Sequence, residues 1–391
     1  MRLLLRIARL FMLGSLFAGS VAAQVLVESK GLPAAISILD KAPLKNQLPC
    51  TIQLSNDLRL DLLFRYTAGF AIHCRLGEQL HPGMRLVALA RVTPELGKPA
   101  ILYEYFDIPQ IQQQASASFS IPLSKVELSM SGGFAVGPGK YSVEVVLTDP
   151  QGHTCRVQKK LKPALVRGSG NVPVAIQPGA VASLVDVRWN GSIAAKGPRL
   201  TVLLNAHGVA GIAHLHAWER TILLQALVTL LNQLPSRSVK LIAFDSDRLE
   251  EVFNQEHFDI DGLEKLEKAL ERMEFNTIPY QALKKGAWSR YLVDLAQRES
   301  SSKEPPDDIV FLGTWGSHAS ETLPEEMIRE IGTSKARFFY FELFPNVGWA
   351  PDGVEQLTRD MHGSVFAIRS PETLAQAIKK TSAQTAAPSD Q

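Results

Sequence analysis

The sequence lacks the excess of basic charge that marks proteins that bind nucleic acid. Its 391 residues carry 41 Lys and Arg against 39 Asp and Glu, which gives a formal net charge of +2. No dense stripe of basic residues runs along the chain, so we expect no nucleic-acid partner. Because 46% of the residues are hydrophobic and 20% are charged, the chain can fill real cores, and its length suits two domains.

Several motifs that carry enzyme chemistry are also missing. The chain has no G-x-S-x-G nucleophile elbow, no phosphate loop of the G-x-x-x-x-G-K-[ST] type and no G-x-G-x-x-G after a strand. Hydrolase and nucleotide chemistry are therefore not expected. The sequence predicts a protein that is not an enzyme and needs no cofactor.

One apolar run stands at the start of the chain. Three arginines precede the run over residues 10–21, and Val21 and Ala23 occupy the −3 and −1 positions of a cleavage site before Gln24. These are the features of a secretory signal peptide over residues 1–23. A retained membrane anchor is the alternative, but the run is shorter than the ~20 residues that a spanning helix needs. We expect an exported protein, periplasmic or extracellular, with no membrane span after cleavage.

Cysteine is scarce, and its three copies are Cys50, Cys74 and Cys155. Export implies an oxidising compartment, so these residues are candidates for one disulfide and one free thiol. Cys74 and Cys155 both fall on alternating, strand-like segments, so a bridge between them is the first choice, and Cys50 with Cys74 stays open. Neither a C-x-x-C pair nor a Cys/His zinc spacing is present.

Residues 24–162 alternate apolar and polar side chains in short segments. In the stretch G-K-Y-S-V-E-V-V-L-T-D-P-Q-G, alternating residues from Tyr141 lead into a turn at 149–152. This pattern predicts a hairpin that closes a β-sandwich, and the stretch resembles the last hairpin of immunoglobulin-like and fibronectin-like modules. The Pro- and Gly-rich residues 163–198 are predicted to be a linker with one or two strands that dock on either side.

Residues 199–381 alternate buried strands with helices. Strands are predicted at 200–204, 239–244, 309–312, 337–341 and 365–368, and helices at 218–234, 261–273, 282–298, 324–331, 354–361 and 371–380. Asp261, followed by Glu264, is the predicted cap of the second helix. This order predicts a doubly wound α/β domain, a parallel sheet with helices on both faces. The sequence thus predicts a multidomain chain with a disordered tail at 382–391.

The order of elements in this second half resembles a von Willebrand factor A domain. Residues 200–204 match the first strand of that family, 239–247 the second strand and its turn, 308–312 the fourth strand and 363–366 the last. More particularly, the region is similar to the divergent A-like domains of exported acidobacterial proteins. The resemblance implies ligand binding at the carboxyl ends of the strands.

Members of that family hold a divalent cation with a D-x-S-x-S motif, a later Thr and an Asp after the fourth strand. Here the first loop reads Asn205-Ala206-His207-Gly208-Val209, and Thr314 or Trp315 stands in the place of the last Asp. Thr277 is the candidate for the later Thr. Without the two carboxylates the resemblance implies a degenerate metal-ion-dependent adhesion site with no tight divalent ion.

The candidate ligand-binding rim is therefore neutral. It consists of Asn205, His207, Thr277, Thr314 and Trp315. Asp245 and Asp247 belong to a different loop and are not expected to replace the missing carboxylates.

One dense group of possible metal ligands remains, and it gives the alternative. His207, His214, His216 and Glu219 could hold a transition metal, although the simpler interpretation is a polar helix entrance with Glu219 favoured by the helix dipole. The function predicted first is an exported, non-enzymatic binding or scaffold protein with a protein partner. The alternative is a metal-binding protein or a metal-dependent enzyme.

Overall fold

The computed structural model describes residues 24–110, 125–164, 166, 168–184, 187–191, 193–207, 215–273, 280–314, 323–331, 334–345 and 353–386. Over these residues the chain forms three β-sheets together with helices. The predicted signal peptide at 1–23 and the candidate residues His214, Thr277 and Trp315 lie outside the described residues.

Two antiparallel sheets build the first module. One has the strand order β1-β6-β5-β8-β9 and the other β10-β7-β4-β2, with β3 beside β4. The strands are β1 (Val25–Leu26), β2 (Cys50–Leu54), β3 (Arg59–Leu60), β4 (Tyr66–Arg75), β5 (Arg85–Pro94), β6 (Ala100–Asp107), β7 (Glu127–Val136), β8 (Tyr141–Thr148), β9 (Thr154–Leu161) and β10 (Val181–Ser183). A helix, α1 (Leu32–Lys41), packs against the first sheet.

The two sheets share one apolar core. Along β4 every second residue is buried, as the alternation predicts for a strand with one face inward. Phe70 and Ile72 of β4 belong to the same buried cluster as Ala88 of β5 and Val143 of β8, which lie on the other sheet. The sheets therefore pack face to face.

The segment after residue 162 takes part in this module. β10 pairs antiparallel with the end of β7, so the second sheet extends past the predicted boundary. The Tyr141 hydroxyl donates to the Gly137 carbonyl at 3.0 Å and accepts from the Gly179 backbone N–H at 3.3 Å. One buried side chain thus fixes the start of β8 and the turn that leads to β10.

The first choice of disulfide was wrong. The bridge joins Cys50 to Cys74, and Cys155 is a buried free thiol. In the register of β2 and β4, Cys50 and Cys74 lie directly opposite each other, whereas Cys155 lies on β9 of the other sheet. Its thiol donates to the Cys50 carbonyl at 3.1 Å instead. Direct cross-strand register therefore decides the pairing.

The second module is a six-stranded sheet with the order β13-β12-β11-β14-β15-β16. Its strands are β11 (Arg199–Asn205), β12 (Ser238–Asp245), β13 (Glu250–Gln255), β14 (Asp308–Thr314), β15 (Arg337–Leu343) and β16 (Ser364–Ile368). Its helices are α2 (Ala217–Gln233), α3 (Ile260–Glu271), α4 (Ala287–Ser300), α5 (Glu325–Ile331), α6 (Gly353–Asp360) and α7 (Pro371–Ala386). Neighbouring strands run parallel except for the antiparallel edge strand β13.

Both faces of this sheet are covered. Leu204 of β11 packs in a cluster with residues of α2, α3 and α7, and Leu203 packs in a second cluster with residues of α4, α5 and α6. A strand that is buried on both sides has no polar face, which explains the continuous apolar runs of β11 and β14. Among the described helices none is both long and apolar enough to cross a membrane.

The start of α3 and the end of α7 are among the helix ends that differ from the predicted ones. The N-cap of α3 is Asp259, whose carboxylate accepts the Gly262 backbone N–H at 2.8 Å, and not Asp261, which lies inside the first turn. Helix α7 continues to Ala386, past the start of the predicted tail at 382. The Thr381 side chain is buried there, and so the helix does not end at that residue.

A turn of the first module packs into the core of the second. Phe64 is buried and belongs to the apolar cluster that contains α2. The Thr229 hydroxyl of α2 donates to the Leu62 carbonyl at 2.6 Å. The turn is held by Asp61, whose carboxylate accepts from the backbone N–H and the guanidinium of Arg65. The two modules are therefore joined by packing as well as by the connecting chain.

We expect one titratable thiol per chain when the unreduced protein is unfolded, because only Cys155 is outside the disulfide. The Cys155→Ser variant should then show none. Thiol titration in denaturant under non-reducing conditions measures both. A free thiol in the unfolded Cys155→Ser variant would show that Cys155 had been part of the bridge.

A carboxyl group lies in the sandwich core. Glu104 of β6 is 2% exposed, between the buried residues Leu102 and Phe106. Burial raises its pKa from the ordinary 4.5 to about 8, because an apolar environment disfavours the charged form. The group is therefore mostly protonated in the folded chain at neutral pH.

This shift predicts a pH-dependent stability. Below pH 4.5 the carboxyl of Glu104 is protonated in both the folded and the unfolded chain. Between pH 4.5 and about 8 only the unfolded chain loses the proton, so the free energy of unfolding falls by up to about 1.4 kcal/mol per pH unit. The Glu104→Gln variant, which cannot ionise, should lack this loss and be more stable than wild type at pH 8. Urea unfolding at pH 4 and pH 8 tests this, and equal pH slopes would contradict it.

Candidate functional site

The carboxyl ends of β11, β12 and β14 meet at one edge of the second sheet. In the parallel register, Asn205 at the end of β11 lies opposite Phe244 of β12 and Gly313 of β14. The residues that follow these three positions therefore lie at the same height along the strands, and His207 comes near the turn after β12. This is the edge at which ligands bind in open α/β sheets.

The Asn205 side chain lies against Gly313 of β14. A Cβ atom at Gly313 would lie 2.7 Å from the Cβ atom of Asn205, so a larger residue at 313 would push the Asn205 side chain away. Asn205 is 7% exposed, and its Oδ1 atom accepts no hydrogen bond from any described residue. A buried amide oxygen is thus fixed at the edge without a donor.

Thr314 ties the ends of two strands together. Its hydroxyl donates to the backbone carbonyl of His207 at 3.0 Å, and both residues are 4% exposed. The predicted rim residues Asn205, His207 and Thr314 are therefore brought together. Because the Thr314 hydroxyl is already used in a backbone contact, its role is to position the loop after β11.

The His207 imidazole reaches a carboxylate from the neighbouring strand. Its Nδ1 atom lies 3.2 Å from Oδ2 of Asp247, which is within ion-pair distance. Asp247 belongs to the loop after β12, and it is not expected from the sequence to replace the missing carboxylates of the metal motif. That loop turns back toward β11, so the rim carries an anionic group that sequence reasoning missed.

Asp245, the last residue of β12, is buried beside this contact. It is 1% exposed, and its Oδ1 atom accepts the backbone N–H groups of Asp247 and Arg248 at 2.8 and 3.2 Å. Burial raises the pKa of Asp245, while these two N–H groups partly oppose the rise. Its Oδ2 atom has no hydrogen-bond partner within the described part of the chain, and neither does the hydroxyl of the adjacent, buried Ser246.

The edge is therefore rich in acceptors. Asn205 Oδ1 and Asp245 Oδ2 both lack a donor among the residues described, and the Asp247 carboxylate is partly exposed. A buried acceptor without a donor costs about 1–3 kcal/mol. A cationic donor from a ligand would satisfy these atoms and would also favour the charged form of Asp245.

The residues present do not fit the divalent cation that the A-domain resemblance implies. Asn205 brings a neutral oxygen where that family has a carboxylate, and the Thr314 hydroxyl donates to a carbonyl. The Asp247 carboxylate lies against the His207 imidazole. A hard cation needs several anionic oxygens around one point, and these three residues do not supply them.

The histidine group of the alternative is not assembled into a site by its described members. His216 is the N-cap of α2, and Glu219 accepts its backbone N–H at 2.7 Å. Glu219 is 2% exposed, so its carboxylate serves the helix start. Over the described residues no three His, Cys, Asp or Glu side chains are placed to hold a metal ion.

A concavity of about 610 Å³ lies beside β12, β13 and α4, and its lining includes the charged residues Lys240, Glu256, Arg298 and Glu299. Its cations are already paired. Lys240 lies 2.9 Å from Glu299 and also contacts Glu256, and Arg298 contacts Glu251 and Glu299. Because these ion pairs satisfy the lining groups, this concavity has less need of a ligand than the strand edge.

The sequence matches no described protein family and no curated protein. Two of the solved structures similar to it are a von Willebrand factor type A protein from Catenulispora acidiphila and a mutant of the PilB minor pilin from Streptococcus sanguinis. The first is 14% identical over 64% of this chain and 47% of that chain, with a TM-score of 0.33, so this chain spans about half its length. The second is 10% identical over 91% of this chain and 96% of that chain, with a TM-score of 0.30. Values this low carry no argument about function.

We expect the Thr314→Val variant to lower the free energy of unfolding by about 1–2 kcal/mol, because it leaves the buried His207 carbonyl without its donor. The matched control is Thr67→Val, which removes the same type of bond, to the Arg59 carbonyl, at an exposed position where water replaces it. Urea unfolding of both variants measures the difference. Equal effects would show that the Thr314 contact does not hold the loop.

Proposed function

We propose that the chain is an exported, non-enzymatic binding or scaffold protein that combines an immunoglobulin-like sandwich with a degenerate von Willebrand factor A-like domain. The A-like domain binds a partner protein at the carboxyl edge of its sheet. The observation that carries the proposal is the pair of buried acceptors, Asn205 Oδ1 and Asp245 Oδ2, that have no donor among the described residues.

The chemistry of the edge selects the kind of group that the partner presents. Asp245 is almost fully buried and its pKa is raised by that burial, so the charged carboxylate is poorly stabilised by the chain itself. Asp247, at the rim, adds a second carboxylate. A lysine or arginine side chain of the partner would supply donors and positive charge together. We therefore assign a basic side chain as the group that enters the edge.

Binding at this edge proceeds without a bridging divalent cation. The carboxylates of the A-domain motif are replaced by Asn205 and by Thr314, whose hydroxyl is engaged with His207. The contact is direct, from the acceptors of this chain to the donors of the partner. In this proposal Glu219 serves the start of α2, where it accepts the His216 backbone N–H, and it does not hold a metal ion.

Export is supported by two features. The first 23 residues have the arginines, apolar run and small residues of a signal peptide. The Cys50–Cys74 disulfide fits an oxidising compartment. We place the mature protein in the periplasm or outside the cell.

The Asp247→Lys variant tests the proposed edge. A lysine there opposes the incoming basic group, and we expect recovery of the partner to fall at least about tenfold, as for loss of one desolvated charge contact. The measurement is chemical cross-linking in the native cell, followed by purification of the full chain and quantitative mass spectrometry of what is attached.

The matched control is Asp294→Lys, the same charge reversal at an exposed position of α4. It should recover the partner as wild type does, and chelation of divalent cations should change nothing. Equal recovery with Asp247→Lys would rule out the edge. Loss of the partner on chelation would replace direct contact by a cation bridge.

A further inference from the structure

Two polar side chains meet inside the sandwich at the start of the described chain. β1 pairs with β6 so that Val25 lies opposite Tyr103, which places Gln24 opposite Glu104. Gln24 is 3% exposed and Glu104 is 2% exposed. Neither the carboxyl oxygens of Glu104 nor the amide atoms of Gln24 make a hydrogen bond with any described residue.

The ends of both side chains converge on a glycine of the opposite sheet. A Cβ atom at Gly132 would lie 2.5 Å from Oε2 of Glu104 and 3.1 Å from Nε2 of Gln24, with Phe70 as the apolar wall. The backbone of Gln24 is fixed as well, because the Ser183 hydroxyl donates to its carbonyl. An amide and a carboxyl group are thus held beside each other in a water-poor space.

The position of Gln24 in the sequence allows a chemical reaction of its side chain. The signal-peptide pattern places cleavage directly before it, after Ala23. Cleavage would leave Gln24 with a free α-amino group. An N-terminal glutamine can close on itself, since its α-nitrogen is able to attack its own side-chain amide carbon and form a five-membered lactam.

We propose that Gln24 is a modification site, and that after signal cleavage it cyclises to pyroglutamate with Glu104 carrying the protons. The inference rests on the proposed export and cleavage. It adds a covalent change at the new N-terminus and a role for a buried carboxyl group that the binding edge does not use.

The reaction balances within the chain. The bond between Nα and Cδ of Gln24 forms, and the bond between Cδ and Nε2 breaks. Glu104 donates its proton to Nε2, which leaves as ammonia, and the resulting carboxylate accepts a proton from Nα. No oxidant, reductant or other reactant is needed.

The environment suits both proton transfers. Burial raises the pKa of Glu104 to about 8, so near neutral pH the group is mostly protonated and can act as an acid, and then as a base. The product is neutral. It avoids an α-ammonium charge on a residue that is almost fully buried, which would be costly without a partner.

The test uses the chain from Gln24 to Gln391, made with an N-terminal fusion that a protease removes to leave Gln24 first. Loss of one ammonia is followed by intact mass spectrometry of the folded protein. We expect the wild type to cyclise at least about tenfold faster than Glu104→Gln, in line with the usual size of general acid–base catalysis. Wild type unfolded in urea should be as slow as the variant.

The control is Glu95→Gln, a change at an exposed carboxylate that should leave the rate unchanged. Equal rates for wild type and Glu104→Gln, or no ammonia loss from the folded chain, would overturn the proposal. Cyclisation of the unfolded wild type at the rate of the folded protein would overturn it as well, and that comparison needs no variant.

The export premise is checked separately on protein recovered from the native cell. Its N-terminal peptide should begin with pyroglutamate at position 24. Unmodified Gln24 at the start would mean that cleavage is right and cyclisation is wrong. A different first residue would contradict the cleavage, and with it the natural occurrence of the modification, whatever the fusion-released chain does.

Discussion

The cost of burying a polar atom without a hydrogen-bond partner is the constraint on which the functional assignments depend. Such an atom costs about 1–3 kcal/mol, which is a large share of the stability of a typical domain. Among the described residues, Asn205 and Asp245 on the strand edge each bear this cost, and so do Gln24 and Glu104 in the sandwich. Glu144, another buried carboxylate, is instead paired with Arg91 and Arg156. No described residue supplies the missing hydrogen bonds of these groups, and a partner or a chemical change would supply them.

The apolar packing of each module makes these unpaired atoms tolerable. Every residue of β14 is buried, and the sheet has an apolar cluster on both faces, so the acceptors at its edge are held rigidly. The Asn205 side chain cannot move toward β14, because Gly313 is already in close contact with it and has no side chain that could donate a hydrogen bond. In the sandwich, Leu102 and Phe106 flank Glu104 and give it no polar neighbour on their own strand. Rigid surroundings prevent these groups from reaching water, and this preserves the unpaired state.

Sequence periodicity predicted the last hairpin of the first module and most of the strands of the second, because apolar runs and alternation report local burial directly. It did not predict β13 (Glu250–Gln255), which lies at the edge of the sheet and whose residues are mostly polar. Periodicity does not report contacts between strands that are distant in the sequence. The Cys50–Cys74 pairing depends on the register of β2 and β4, and the approach of Asp247 to His207 depends on how the loop after β12 folds back. The sequence thus identified Asn205, His207 and Thr314 as residues of the rim. It did not identify the Asp247 carboxylate beside them.

One set of hydrogen bonds connects Gln24 to the junction of the modules. Gln24 accepts from the Ser183 hydroxyl, and Arg65 donates to the carbonyls of Ser183 and Leu184. The same guanidinium pairs with Asp61 and so shapes the turn that packs against α2. Arg65 is 4% exposed, so these hydrogen bonds are shielded from water and each of them contributes to stability. Gln24 is thus held to the segment that carries β10, and loosening one would loosen the other. The first described residue of the chain is therefore a structural part of the junction between the modules.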